Sequence, residues 1–135
     1  MGKHAIIVIK NTNNEYLQYY DNRWKSNLFL NCKLDDNYND ETVKRYIANE
    51  LGKKDVKCEF VDKIIHTKLS VPNNQNKEYQ HYFYKVTIDL DDMNDKEFDK
   101  NGIEYKWFSY NELLNDQRIQ EVNSDIVEYI EELNM

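Results

Sequence analysis

Chain breakers are scarce in this sequence, with three Gly and one Pro in 135 residues. So few leave regular elements to dominate and turns to be built from polar residues. Only two cysteines occur, Cys32 and Cys58. They form no CxxC pair and are too few for a disulfide framework, so a reduced, cytoplasmic setting is expected. No apolar stretch approaches the length a membrane span needs. The opening MGKHAIIVIK has too short an apolar run for a signal peptide and no cleavage pattern. Positive charge is also short, 18 Lys and Arg against 25 Asp and Glu, for a formal net charge of −7. Binding along a nucleic-acid backbone rests on neutralising phosphates, so long nucleic acid is not an expected partner. A small nucleotide remains open, because a few local cations suffice for one.

Apolar side chains are present in ordinary supply. Hydrophobic residues make up 40% and aromatics 13%, including 11 Tyr. That is enough to bury one core without covalent staples, and a single domain over residues 1–135 is expected.

Periodicity gives the order of elements. His4–Ile9 is a short run rich in β-branched residues and reads as a buried strand. After the turn Asn11–Asn14, the alternating segment Glu15–Tyr20 is expected to pair back on it as a hairpin. A turn at Asp21–Arg23 leads into an extended piece, Trp24–Leu30, and then a polar loop, Leu34–Asp40. Asp40 is a plausible helix N-cap. The helix after it, Glu41–Leu51, puts Val43, Ile47, Glu50 and Leu51 on one side, with Glu41 and Arg45 as an i,i+4 pair and Gly52 at the C-cap. Two long strands, Val56–Val71 and Glu78–Leu90, flank the turn Pro72–Asn76. Asp91–Asn101 reads as an acidic loop and Ile103–Ser109 as a further strand. A short helix follows at Asn111–Asn115, and Ser124 could cap a last one, Asp125–Leu133. The order β-β-β-α-β-β-β-α-α describes a mixed sheet with helices on its faces.

One segment carries chemical information: Arg45-Tyr46-Ile47-Ala48-Asn49-Glu50-Leu51-Gly52. Upstream of it, Trp24 is followed by Leu28 through Lys33-Leu34-Asp35. Downstream stands Glu104-Tyr105-Lys106-Trp107, before a short helix. Together these resemble the Nudix hydrolases. Their signature reads Gly, five residues, Glu, seven residues, then Arg-Glu-aliphatic-any-Glu-Glu-any-Gly. Arg45, Ile47, Glu50 and Gly52 match it, while Tyr46 and Asn49 replace two glutamates. Lys33, Leu34 and Asp35 match the upstream part, with Asn31 and Cys32 where glycines are usual and one residue fewer in the loop before the helix.

The resemblance spans nearly the whole chain and implies an α/β (α+β) fold, a Nudix-like α/β/α sandwich with a mixed, partly antiparallel sheet. It implies hydrolysis of a nucleoside diphosphate linked to another moiety, with Mg²⁺ or Mn²⁺ on the helix glutamates. Arg45 would orient the metal-binding carboxylate, and Glu50, helped by the neutral oxygen of Asn49, would be the ligand left. Hard divalent cations need several oxygen ligands, and Glu50 alone does not build such a cluster. Asp35, Asp36, Asp40 and Glu41 before or at the helix, and Asp91, Asp92, Asp95, Glu97 and Asp99 in the acidic loop, are the acids that could compensate. The alternatives are a catalytically impaired nucleotide-sensing module, of the kind that accompanies bacterial nucleotide-second-messenger systems, or a protein-interaction scaffold.

Ligand contacts are expected from a small set of residues. Trp24 with Arg23 and Lys25 could clamp a base and phosphates. Lys33 sits at the matching lysine of the upstream motif. Tyr82 and Tyr84 share one face of an aromatic-rich strand and could stack on a base. His66 and Lys68 share a strand face that could meet an anion. His4, His66 and His81 show no metal-ligand spacing. The expected partner is a nucleotide or nucleotide-derived small molecule, with a homodimer left open.

Overall fold

A computed structural model describes residues 2–35 and 39–135, apart from the Lys68 side chain. The expectations for Asp36 and for the Lys68 side chain fall outside the described residues. Among the described residues there are seven strands: β1 (Gly2–Val8), β2 (Tyr16–Asp21), β3 (Ser26–Lys33), β4 (Lys57–Ser70), β5 (Gln75–Thr87), β6 (Glu97–Lys100) and β7 (Ile103–Phe108). Three helices accompany them: α1 (Asn39–Leu51), α2 (Tyr110–Asn115) and α3 (Gln117–Glu132). The strands form one sheet in the order β4-β5-β1-β3-β2-β7-β6. The β1–β5 pairing is parallel and the others are antiparallel. The sheet is mixed, as expected.

Both faces are covered, and β1 shows why. Alternate side chains of a strand point to opposite faces. Ala5 and Ile7 pack in one core with Val43, Ile47 and Leu51 of α1. Ile6 and Val8 pack in another with Leu113 of α2 and Ile119, Ile126, Val127 and Ile130 of α3. A strand apolar on every residue is thus a strand buried on both sides. The three α1 residues are fully buried, each worth about 1.5–3 kcal/mol of transfer free energy. Gly52 closes α1 at φ +66°, in the left-handed region a C-cap glycine occupies.

The details correct several expectations. β2 does not lie beside β1. Beyond the end of β1, Lys10 bridges to Tyr16 and the Ile9 carbonyl accepts the Leu17 N–H. β3 separates them, pairing through Ser26–Phe29 with β2 and through Leu30–Lys33 with β1. An eight-residue strand is long enough to serve two neighbours. The acidic loop also contains a strand, β6. It returns onto β7 through the left-handed pair Asn101 (φ 53°) and Gly102 (φ 78°), and Phe98 stacks on Tyr105 with centroids 5.3 Å apart. The last helix begins earlier than Ser124. Asp116 caps it by accepting the Ile119 N–H at 2.9 Å, and the non-helical Asn123 (φ −141°) kinks it just before Ser124. Asp40 lies inside the first turn of α1 and is not its cap. Glu41 and Arg45 are both exposed and form no ion pair among the described residues.

Among the described residues no helix is long and apolar enough to cross a membrane.

Candidate functional site

Two regions carry the residues singled out above. The first is the outer turn of α1. Burying Val43, Ile47 and Leu51 fixes the helix rotation, which leaves Arg45 and Asn49 exposed and Tyr46 and Glu50 half-buried. The Tyr46 phenol is pushed far above its ordinary pKa, first by burial and then by Tyr19, Glu50, Tyr105 and Cys32 around it. Tyr105 is pushed up to about 12 by burial and by the Glu50 carboxylate. The Tyr19 hydroxyl donates to Asp21 Oδ2 at 2.9 Å and accepts from Asn31 Nδ2 at 3.1 Å. Where carboxylates would gather around a metal, the chain has placed neutral phenols around one carboxylate, Glu50.

The donor set does not fit a cluster of divalent ions. Among the described residues no three His, Cys, Asp or Glu side chains converge as a metal site. The acids that could compensate are otherwise engaged or stand apart. Asp40 lies near Tyr84, whose phenol is pushed up first by burial and then by the Asp40 carboxylate. Asp92 is paired with Lys53 and Lys100, which hold its carboxyl well below the usual range. Asp91, Asp95, Glu97 and Asp99 are exposed on the loop and β6.

The second region lies on the other face of the sheet. A cleft of about 360 Å³ opens between the start of β1, the middle of β5, the β2–β3 turn, the β4–β5 turn and the kink of α3. Its walls carry the rings of His4, Trp24, Tyr79 and His81, and the polar groups of Asn31, Ser70 and Asn123. Arg23 and Lys77 bring positive charge to it. Parallel pairing of β1 with β5 sets His4 opposite His81 and Gly2 opposite Tyr79. Tyr79 stacks on His81 at 5.6 Å and 15°. The His4 imidazole is held below its ordinary value by burial, then by the charges of Lys33 and Arg23. Its buried Nδ1 has no hydrogen-bond partner among the described residues.

The turn bearing Arg23 and Trp24 is held from two sides. Asp21 Oδ1 accepts the main-chain N–H of both residues. From α3, Arg118 donates to the Trp24 carbonyl at 2.6 Å and to the Lys25 carbonyl at 3.2 Å. A fixed turn loses little freedom when a ligand arrives.

Of the residues singled out in the sequence, Arg23 and Trp24 line this cleft. Lys33 is exposed at the end of β3, opposite His4 in register, and contributes its charge but not a wall. Tyr82 and Tyr84 face the other way, and the stacking role expected of Tyr84 is corrected. Tyr84 is 2% exposed in the core beneath α1, so it offers no ring face. Tyr82 carries Lys3 and Lys63 over its ring at 5.1 and 5.7 Å. Arg45, Asn49 and Glu50 belong to the α1 region and not to the cleft. His4, Asn31, Tyr79 and His81 also line the cleft and were not singled out as ligand contacts in the sequence. The alternation of β5 held a signal for two of them: Tyr79 and His81 share a face just as Tyr82 and Tyr84 do, and it is the face that borders the cleft.

No family model matches the sequence, and no curated protein does. Solved structures do. A Nudix hydrolase from Nitrosomonas europaea aligns over 98% of this chain and 87% of its own, at 18% identity and a TM-score of 0.65. A MutT protein from Bacillus halodurans aligns over 100% and 84%, at 14% identity and a TM-score of 0.64. A Nudix-family hydrolase from Clostridium perfringens aligns over 97% and 94%, at 15% identity and a TM-score of 0.59. The likeness is one of fold: the chain has the fold of the Nudix hydrolases.

Proposed function

We infer that this chain, built on the Nudix hydrolase fold, takes a nucleotide or nucleotide-derived molecule in the cleft beside β1 and β5. The observation that carries the reading is the make-up of that cleft. Its volume of about 360 Å³ falls in the ordinary range of small-molecule sites. Flat aromatic walls suit a heteroaromatic base, each stacking contact being worth about 1–3 kcal/mol. Arg23 and Lys77 suit the phosphates, and the asparagines suit the edges of a base.

The fold likeness supports hydrolysis of a nucleoside diphosphate linked to another moiety as the reaction class. In that reading Glu50 and Asn49 of α1 would hold Mg²⁺ or Mn²⁺, with Arg45 to orient Glu50; these residues lie across the sheet from the cleft, so hydrolysis requires the diphosphate to sit at α1 and not in the cleft. The ion would neutralise diphosphate charge and help to form hydroxide from water. A second reading is a sensor that binds the nucleotide without turning it over. Tyr46 favours it, since a buried phenol occupies a helix position where the hydrolases carry a glutamate.

The test is a panel of dinucleoside polyphosphates, ADP-ribose and nucleotide sugars, each with and without Mg²⁺ or Mn²⁺. Metal-dependent turnover that disappears in Glu50→Gln establishes the hydrolase. Binding without turnover, unchanged in Glu50→Gln and lost in Trp24→Ala, establishes the sensor. Failure to bind or turn over any member of the panel refutes both.

A further inference from the structure

We propose that His66 and His81 form a proton-sharing pair through which pH regulates ligand binding in the cleft. The proposal rests on the reading of that cleft as a ligand site.

The Nδ1 atoms of the two rings are 2.9 Å apart. An imidazole nitrogen offers either a lone pair or an N–H, never both, so a contact this short holds one hydrogen between the two. A neutral pair satisfies it, and so does a pair carrying one extra proton. A doubly protonated pair does not, because two N–H groups would then face each other.

The surroundings separate the two steps. On α3, Asp125 Oδ2 lies 3.8 Å from His66 Nδ1 and favours the first added proton. Also on α3, Tyr129 sets its ring edge-on to His66, and its hydroxyl is bound to Asp62 of β4. On β5, Tyr79 stacks flat on His81 and Phe83 meets it edge-on. On β1, His4 is the register partner of His81. Arg23, Lys77 and Glu78 are the charged side chains of the adjoining cleft wall. Of the acids named, Asp125 lies within ion-pair distance of His66, Asp62 is taken by the Tyr129 hydroxyl and Glu78 is exposed, while a second positive charge on the pair would also face Arg23 and Lys77. Two sites coupled this strongly take up protons in separate steps that belong to the pair. The contact therefore persists through the first step and breaks as pH falls through the second.

The break would reach the cleft through two walls. His81 lines it directly, together with its stacking partner Tyr79. Asp125 follows the kink at Asn123 by two residues, and Asn123 and Ile126 line the opposite wall. The pair thus ties the β5 wall to the kinked part of α3.

The experiment measures binding of ADP-ribose, a dinucleoside tetraphosphate and a nucleotide sugar by calorimetry, without divalent ions. None of these probes has a phosphate that titrates between about pH 5 and 8, the range in which histidine changes charge. At least one should bind the parent chain with an affinity that falls about tenfold or more across that range. His66→Gln keeps a hydrogen-bonding side chain that does not titrate, and it should hold the change within about twofold. Nitrogen-15 NMR of the unliganded parent chain should show two well-separated protonation steps and an Nδ1–H···Nδ1 signal lost at the lower one. Binding with the same pH profile in His66→Gln, or a single step in which both rings titrate alike, overturns the regulation and leaves the cleft reading intact. No binding of any probe at any pH overturns both.

Discussion

Asp21 holds the main chain at Trp24. One of its carboxylate oxygens accepts the N–H of Arg23 at 2.8 Å and of Trp24 at 3.0 Å, while the other accepts the Tyr19 hydroxyl. The side chain is only 8% exposed. One residue therefore sets the position of the two cleft residues that were legible in the sequence. Asp21→Ala should leave buried donors unsatisfied and cost about 1–3 kcal/mol. It should also weaken nucleotide binding more than Arg23→Ala does, because it releases Arg23 and Trp24 together. Urea unfolding and calorimetry check the two parts. Full stability in Asp21→Ala would mean that the turn is held by Arg118 alone.

Gly52 gives a prediction of a different kind. A Cβ there would meet nothing nearer than Lys100 Cε at 4.0 Å, so space is no obstacle. The obstacle is φ +66°. Gly52→Ala should destabilise by about 1–2 kcal/mol, the cost of a left-handed L-residue, and Gly52→Asn by less. Thermal unfolding of the two variants side by side distinguishes this from a packing effect, which would make the larger Asn worse.

How much was legible follows the same physics. The strands of the central sheet, the α1 core face and the Gly52 cap could be read because period and capping are local. The place of β3 between β1 and β2 could not, because strand order is set by contacts far apart in sequence and hairpin reasoning favours neighbours. β6 was readable and overlooked: Asn101-Gly102 is a strong two-residue hairpin signal, but the charges around it pointed to a loop. At the site, Arg23 and Trp24 stood out as an aromatic between cations. His4 and His81 did not, since they are 77 positions apart and meet only through parallel pairing. On β5 the sequence offered two aromatic faces, and only the helices decide which one is covered.

Lys96 predicts an acid limb to stability. It bridges Glu15 at 2.7 Å and Glu112 at 2.5 Å, tying the loop before β2 to α2. Its hydrogen bonds are the largest cause lowering both glutamates below their ordinary 4.5, with Asn11 adding to Glu15 and Ser109 to Glu112. A carboxylate with a lowered folded pKa stabilises above its unfolded value, and that contribution is lost as pH falls through the folded value. Lys96→Met should therefore cost stability at pH 7 and little well below pH 4. Because Lys96 and Glu112 are each 43% exposed, solvent screening limits the loss to about 0.5–1.5 kcal/mol for the two pairs together. Denaturant midpoints at a series of pH values test this. An equal loss at every pH would assign the effect to the lysine stem and not to its charge.

Tyr46 is where the question of hydrolysis can be put to the chain directly. Its phenol is half-buried among Tyr19, Tyr105 and Cys32, one helical turn before Glu50. Tyr46→Glu would place two carboxylates on one helix face in that setting. Without a metal, burial and like charge both oppose folding, and a loss of about 2–4 kcal/mol is expected. With Mn²⁺ present the two acids gain a shared partner, and binding to the folded state alone recovers about 2.7 kcal/mol when the ion stands at a hundred times its dissociation constant. Mn²⁺ should then raise the unfolding temperature of Tyr46→Glu and leave the parent chain unchanged. An equal rise in both would mean that Glu50 already holds an ion beside the tyrosine, and would favour the hydrolase over the sensor. A rise in neither would mean that the aromatic cluster has closed this corner to metal even when its missing carboxylate is restored.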